Sequence, residues 1–259
     1  MAAVVGQNAP VAEWWRVNRE GSRNVLNAAH ELNVSGMVQV STISVLGTTL
    51  PGETADETRP VDTSRYKTLY QQTKRAADDL ARDHAAGGLR VSIVYPCFGY
   101  GCSFASSHPS MQDQTLLRMA AGKPVAVMGS GLNRLTLSYY RDTVEGIRLA
   151  LDQGAAGEDY ILGGDCLTFS QLWQAVAAVL GRQPPKRRIP LPLLKAVARL
   201  SRLLTGKSLL PPEFFEMISY NWSFSSAKAQ ARLGWQPHRF QDGLAETWFE
   251  YQAMGWKAV

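Results

Sequence analysis

The sequence predicts an α/β protein built on a doubly wound parallel sheet, with a smaller α/β lobe toward the C-terminus. Two observations carry this. Two β-branched runs, Met37-Val38-Gln39-Val40 and Leu89-Arg90-Val91-Ser92-Ile93-Val94-Tyr95-Pro96, flank a stretch of helical periodicity, the strand–helix–strand order of a parallel sheet. The first run ends in Ser41-Thr42 and a loop reaching Gly47, and Pro96 stops the second. Open parallel sheets bind ligands beyond the carboxyl ends of their strands, which is where Ser41 and Thr42 fall. A Ser-Thr pair after a strand also reads as ordinary turn chemistry.

The helix between these strands carries the most informative pair. Tyr70 and Lys74 stand four apart in Tyr70-Gln71-Gln72-Thr73-Lys74, so on a helix they share a face. A neighbouring cation favours phenolate over phenol and draws a tyrosine down from about 10 toward the range of a general base. The spacing alone also arises by chance on solvated helices. Its place between a hydroxyl-ended strand and a proline-ended one gives it content. Tyr66, one turn earlier, shares the predicted face but has no lysine at +4.

The remaining elements follow from periodicity and punctuation. Residues 14–32 and 63–84 read as helices, and a short strand end is expected over Met1 to Val5. After Pro96, Ser103 to Gln112 is loop-like. Asp113 to Ala121 is a helix ended by Gly122. Pro124 to Met128 and Leu135 to Tyr139 are short strands, Arg141 to Gln153 an amphipathic helix, and Tyr160 to Leu162 a returning core strand. Thr168 to Leu180 is a helix that Thr168 or Ser170 can cap. In Leu191 to Leu204, apolar residues at 193, 194, 197, 200, 203 and 204 form one stripe opposite Lys195, Arg199 and Arg202. That pattern fits a lobe helix with a solvated basic side, or a membrane-surface helix serving a lipid-like substrate.

With 259 residues and 45% hydrophobic content, the chain can bury a core without disulfides. Three cysteines, Cys97, Cys102 and Cys166, with no C-x-x-C, suggest a reducing, cytoplasmic setting. The four histidines show no metal-ligand spacing, so no metal is expected. No apolar run approaches the ~18 residues of a membrane span. The net charge of +5 is scattered apart from Lys186-Arg187-Arg188, which argues against nucleic acid and is enough to attract an anionic cofactor or substrate.

Several ordered blocks resemble the extended short-chain dehydrogenase/reductases, the NAD-dependent epimerase/dehydratase superfamily. Val17-Asn18-Arg19-Glu20-Gly21-Ser22-Arg23-Asn24-Val25-Leu26 is similar to that family's V-N-x-x-G-T-x-N-V-L helix. Ser41-Thr42 through Gly47, Tyr70 to Lys74, Pro96-Cys97-Phe98-Gly99-Tyr100-Gly101, and Lys228 through Leu233-Gly234-Trp235-Gln236-Pro237 match further blocks in order. Met1-Ala2-Ala3 looks like the end of an H-x-A-A strand. The family's opening G-x-x-G-x-x-G is absent from the sequence.

The resemblance implies an incomplete, Rossmann-like sheet lacking two βαβ crossovers, about 60 residues. A chain beginning at an internal methionine of a longer protein would explain this. The resemblance also implies a partial catalytic domain over 1–112 and 137–164 and a substrate-binding lobe over 113–136 and 165–259. NAD or NADP would be the cofactor, the choice between them being unreadable. Tyr70 would be the acid/base, Lys74 its partner on the nicotinamide ribose, and Thr42 the hydroxyl that holds the substrate oxygen, with Ser41 as its substitute. Ala3, Asn18, Ser41, Pro96, Cys97 and Phe98 would line the cofactor with Tyr70 and Lys74.

Counting back from Asp142, Leu135 and Thr136 stand where sugar-nucleotide members carry Arg-Asp. That departure favours the branch resembling 3β-hydroxysteroid dehydrogenases and dihydroflavonol reductases, and so a small-molecule alcohol or ketone as substrate. A sugar-nucleotide epimerase or dehydratase is the alternative, and an inactive chain unable to anchor cofactor is another. A homodimer through the helices holding Asn24 and Tyr70 is implied as well.

Overall fold

A computed structural model describes residues 3–5, 9–102, 111–205 and 212–256. Strands β1 (Met37–Val40), β2 (Val91–Pro96), β3 (Phe98–Tyr100), β4 (Ala126–Met128), β5 (Arg134–Tyr139), β6 (Asp159–Leu162), β7 (Cys166–Thr168) and β8 (Arg187–Ile189) alternate with helices. The helices are α1 (Val11–Trp14), α2 (Gly21–Glu31), α3 (Leu69–Ala86), α4 (Met111–Ala120), α5 (Tyr140–Gln153), α6 (Phe169–Val179), α7 (Leu191–Thr205), α8 (Pro212–Ser219), α9 (Ala227–Leu233) and α10 (Phe240–Ala253). The expected loop at 103–112 lies, through residue 110, outside the described residues.

The chain divides into two compact units. The first comprises Met1–Phe98, Arg141–Gly163 and Ser223–Gln236; the second comprises Gly99–Tyr140, Gly164–Trp222 and Pro237–Val259. These boundaries differ from the sequence-based ones chiefly in giving 99–112 and 137–140 to the second unit and 223–236 to the first. The reason is packing: α9 and Trp235 close one face of that unit's sheet.

In the first unit, β1, β2 and β6 form a parallel sheet in that order, with Val40 opposite Val94 and Pro96 opposite Leu162. Strand side chains alternate between faces, and the two faces take different helices. Val94, Tyr160 and Leu162 pack with Ala150 of α5 and with Ala229, Leu233 and Trp235, and Ser92 Oγ donates to Ala150 O at 3.2 Å. On the other face, Arg82 of α3 donates to Tyr95 Oη and to Asp159 Oδ2, each at 2.8 Å. Helices on both faces make the sheet doubly wound, as predicted.

The Leu233-Gly234-Trp235 block has a local explanation. Gly234 ends α9 at φ 65°, a left-handed cap that glycine adopts without strain. The turn drives the Trp235 ring into the core, where it is 1% exposed and donates from Nε1 to Asp142 O at 2.8 Å. Gly146 of α5 lies so close to Leu162 that a Cβ would meet its methyls at 2.7 Å, letting that helix sit against β6.

In the second unit, β3, β5 and β7 form one sheet, with β5 and β7 antiparallel, and β4 pairs with β8 in parallel. Thr168 caps α6 in a reciprocal box with Gln171. Tyr100 stacks on Tyr139 and meets the edge of Phe240.

Three expectations are corrected. No strand forms over residues 3–5; the Asn18 amide takes Val4's backbone instead, accepting its N–H at 2.7 Å and donating to its C=O at 3.2 Å. The helix expected from Trp14 begins at Val11 and widens into a π-helix over Trp15–Glu20 before α2. The helix expected from Thr63 is a 3₁₀ turn, Thr63–Arg65, followed by a break and a fresh start at Leu69. Tyr66 therefore lies off α3 and donates its hydroxyl to Val45 O.

Trp235→Ala should destabilise the chain by about 3–5 kcal/mol, since it deletes a buried aromatic and opens a cavity. Urea unfolding would show the loss as a lower midpoint at unchanged slope.

Candidate active site

The start of α3 is set by its cap. Thr68 Oγ1 accepts the Gln71 N–H at 3.2 Å while Gln71 Oε1 accepts the Thr68 N–H at 3.2 Å. This capping box puts Tyr70 in the first turn and Lys74 one turn further along the same face. Gln71 Nε2 also donates to Ser44 O at 3.2 Å, tying the helix start to the 3₁₀ turn Ile43–Leu46.

Lys74 is buried, and its Nζ donates to Val40 O, the last carbonyl of β1, at 2.7 Å. Burial pulls its ammonium below the ordinary lysine range, and the Asp78 carboxylate one turn on opposes that shift. Tyr70 is half-buried, its ring meeting Trp14 edge-on at 6.4 Å between centroids. Between them Thr73, fully buried, accepts from Asn18 Nδ2 at 3.0 Å and donates to Leu69 O at 2.8 Å. Asn18 thus links the Tyr–Lys helix to Val4, and so holds the backbone beside Ala3, which is itself exposed.

The two hydroxyls after β1 behave differently. Ser41 is buried, extends the ladder through its N–H to Val94 O at 2.9 Å, and gives its hydroxyl proton to Asp78 Oδ2 at 2.6 Å. Thr42 is half-buried, and its Oγ1 accepts both the N–H and the O–H of Ser44 at 3.3 Å. Both contacts load the Thr42 oxygen as acceptor, which leaves its own proton to donate.

At the end of β2, Pro96 lies opposite Leu162, and the buried Cys97 donates its N–H to Leu162 O at 3.1 Å. Phe98 follows, half-buried. The structure thus sets Ser41, Thr42 and Lys74 at the carboxyl end of β1, with Tyr70 in the helix turn that Gln71 ties to the segment beyond it, Asn18 joined to the same helix through Thr73, and Pro96 and Cys97 ending the neighbouring strand.

Sequence reasoning missed Asp78. It is fully buried, its Oδ1 has no partner, and burial pushes its carboxyl up to about 7. The Ser41 hydrogen bond and the charges of Lys74, Arg82 and Arg75 pull the other way. The available signal was its position four residues after Lys74, on the same helix face. Among the described residues no cluster of His, Cys, Asp or Glu could hold a metal.

A parallel sheet wound on both faces, with a phenol, a buried ammonium and strand-end hydroxyls at its carboxyl edge, defines a Rossmann-like α/β protein. The sequence profile of the NAD dependent epimerase/dehydratase family matches residues 2–163, and the chain belongs to that family. It is 27% identical over 254 residues to the 3beta-hydroxysteroid-dehydrogenase/decarboxylase isoform 1 of Arabidopsis thaliana, covering 90% of this chain and 57% of that protein. It is 26% identical over 250 residues to Sterol demethylase protein B of Methylococcus capsulatus, covering 93% of this chain and 74% of that one. The crystal structure of gox2253 superposes with a TM-score of 0.79 at 30% identity, covering 98% of this chain and 78% of that one. The dTDP-glucose 4,6-dehydratase DesIV of Streptomyces venezuelae, solved with NAD and TYD bound, gives 0.74 at 25% identity, covering 99% and 73%. The chain therefore spans little more than half of the Arabidopsis relative.

Asp78 gives the chain a pH signature. An acid whose folded pKa lies at about 7 rather than the ordinary 3.8 keeps a proton that the unfolded chain has already released. Its contribution to stability falls as pH rises between those values and is level above them. Asp78→Asn keeps an acceptor for Ser41 and removes this dependence. Relative to wild type the variant should gain stability between about pH 4 and about pH 7 and keep a level advantage above that, read as urea midpoints across the range; a difference that is constant throughout would show that Asp78 does not titrate there.

Proposed function

We propose that this chain belongs to an NAD- or NADP-dependent oxidoreductase that exchanges hydride at a secondary alcohol or ketone, with Tyr70 as acid/base. The observation that carries the reading is the docking of the Tyr–Lys helix onto the carboxyl end of β1 through Lys74 Nζ and Val40 O at 2.7 Å. A nicotinamide cofactor, when bound, supplies or accepts the hydride. The residues present fit its redox end, since a half-buried phenol, a buried ammonium and a donor hydroxyl are collected there. The sequence holds no G-x-x-G-x-x-G to cradle a pyrophosphate.

In the oxidising direction Tyr70 takes the proton of the substrate hydroxyl, and in the reducing direction it returns it. Lys74 favours the phenolate. Thr42 donates to the substrate oxygen and suits that role better than Ser41, whose proton goes to Asp78. Asn18 keeps the α3 face in register through Thr73. When a nicotinamide is bound, Pro96, Cys97 and Phe98 would flank it, and Ala3, in the segment that Asn18 holds, would border the cofactor.

For the substrate we infer an apolar alcohol or ketone rather than a sugar nucleotide. Leu135 and Thr136, at the places where sugar-nucleotide relatives carry Arg-Asp, are 3% and 0% exposed in β5. Arg134 beside them donates to Cys166 O at 2.8 Å. The names of the Arabidopsis and Methylococcus relatives point the same way. The three free cysteines suit a reducing cytoplasm, and the exposed Val25 on α2 and Leu32 at its C-terminal cap suit a homodimer through that helix.

Tyr70→Phe should lower turnover of a sterol-like alcohol by about 10²–10⁴-fold, followed as nicotinamide absorbance, with circular dichroism unchanged. Retained turnover would remove Tyr70 from its role. Titration of NADH and NADPH by fluorescence separates loss of chemistry from loss of cofactor binding.

A further inference from the structure

The helix α7 turns Leu194 and Ala198 inward and leaves most of its apolar residues outside. Leu193, Val197, Leu200, Leu203 and Leu204 are 55%, 43%, 56%, 83% and 75% exposed. Leu193, Val197, Leu200 and Leu204 follow the i, i+4, i+7, i+11 spacing of one helix face, and Leu203 widens it. Lys195, Arg199 and Arg202, all exposed, lie on the opposite side of the helix, with Arg199 nearest to Leu203. An apolar face of this size on a surface helix marks an interaction site.

Along the sequence, between Asp165 and Glu213, the charge is one-signed. From Cys166 to Pro212 the sequence has no Asp or Glu and eight Lys or Arg, more than the net +5 of the whole chain. Lys186 and Arg187 are exposed a few residues before Leu191, where α7 begins. An isologous contact with a second copy through this face would cover the Leu and Val side chains but leave Lys195, Arg199 and Arg202 unanswered on the far side of the helix. A nucleic acid would answer the cations but leave five Leu and Val side chains against a phosphate backbone. A surface that is apolar beneath and anionic at its rim answers both.

We propose that α7 docks this protein on the surface of an anionic lipid bilayer. The helix lies in the plane of the interface, with Leu193, Val197, Leu200, Leu203 and Leu204 inserted among the acyl chains and Lys195, Arg199 and Arg202 paired with headgroup phosphates. It does not span: fifteen residues at 1.5 Å each give about 22 Å, and no described helix is long and apolar enough to cross a membrane. This inference goes beyond the proposed chemistry and does not depend on it.

Vesicle flotation of the full chain tests it. Wild type should float with 1:1 dioleoylphosphatidylglycerol/dioleoylphosphatidylcholine vesicles at low salt and stay below with pure dioleoylphosphatidylcholine. Leu200→Gln/Leu203→Gln/Leu204→Gln replaces exposed side chains at constant charge. It should lower the bound fraction at least tenfold with the thermal melt unchanged, and Lys195→Gln/Arg199→Gln/Arg202→Gln should abolish the preference for the anionic vesicle. Failure of wild type to float, or equal flotation of the Leu variant, overturns the proposal. So does sedimentation velocity showing that the Leu variant splits an oligomer, because a second copy then covers the face.

Discussion

Burial of the Lys74 ammonium is the constraint from which the rest of the site follows. An ammonium removed from water costs several kcal/mol unless hydrogen bonds and opposite charge compensate. Compensation is available at one place: Val40 ends β1 with a carbonyl that accepts Nζ at 2.7 Å, and Asp78 lies one turn further along α3. A slip of α3 by one residue would turn Lys74 about 100° away from that carbonyl. The helix is therefore locked in register against the sheet. Tyr70, one turn nearer the helix start, is carried past the strand end, where parallel sheets leave room for a ligand.

The same face of α3 is reinforced from both sides. Ser41 reaches Asp78 from the end of β1, and Asn18 reaches Thr73 from the π-helical segment. A π-helix places one extra residue per turn and re-aims the side chains around it. Here it holds a buried Asn whose amide meets the backbone of Val4 and the hydroxyl of Thr73 at once. Asp78 is the weak point of this arrangement, because its Oδ1 is buried without a partner. Burial raises its carboxyl to about 7, so below that pH it holds a proton that eases the cost, and above it the carboxylate answers Lys74.

What the sequence made legible is what depends on spacing. Tyr70 and Lys74 share a face because four residues make about one turn, and the β-branched runs at Met37 and Val91 pair as expected. Roles that depend on burial were not legible. A hydroxyl after a strand does not reveal its acceptor, so Ser41 and Thr42 were separated only when Asp78 proved to lie beneath Ser41. An aspartate on an amphipathic helix reads as a solvated charge until the sheet covers it. The helix expected from Thr63 failed because Thr68 caps better than anything upstream and Gln71 completes its box. No strand forms over residues 3–5, where the Asn18 amide takes Val4's backbone groups, and nothing in that segment's own sequence reveals it.

The apolar residues of α7 show the opposite side of the same limit. Their spacing was plain, but spacing cannot say which of two apolar faces is covered. The structure buries Leu194 and Ala198 and leaves five others out. Burying the exposed five at about 25 cal/mol per Å² is a favourable term that the second unit leaves unused among its described residues, in a stretch with no acid to repel an anionic surface. A sterol-like alcohol, the substrate class proposed above, is itself concentrated in bilayers, so a protein held at the interface would meet it there rather than in water. The apolar substrate inferred from Leu135 and Thr136 and the lipid surface inferred from α7 rest on different residues, and they converge on one chemical setting.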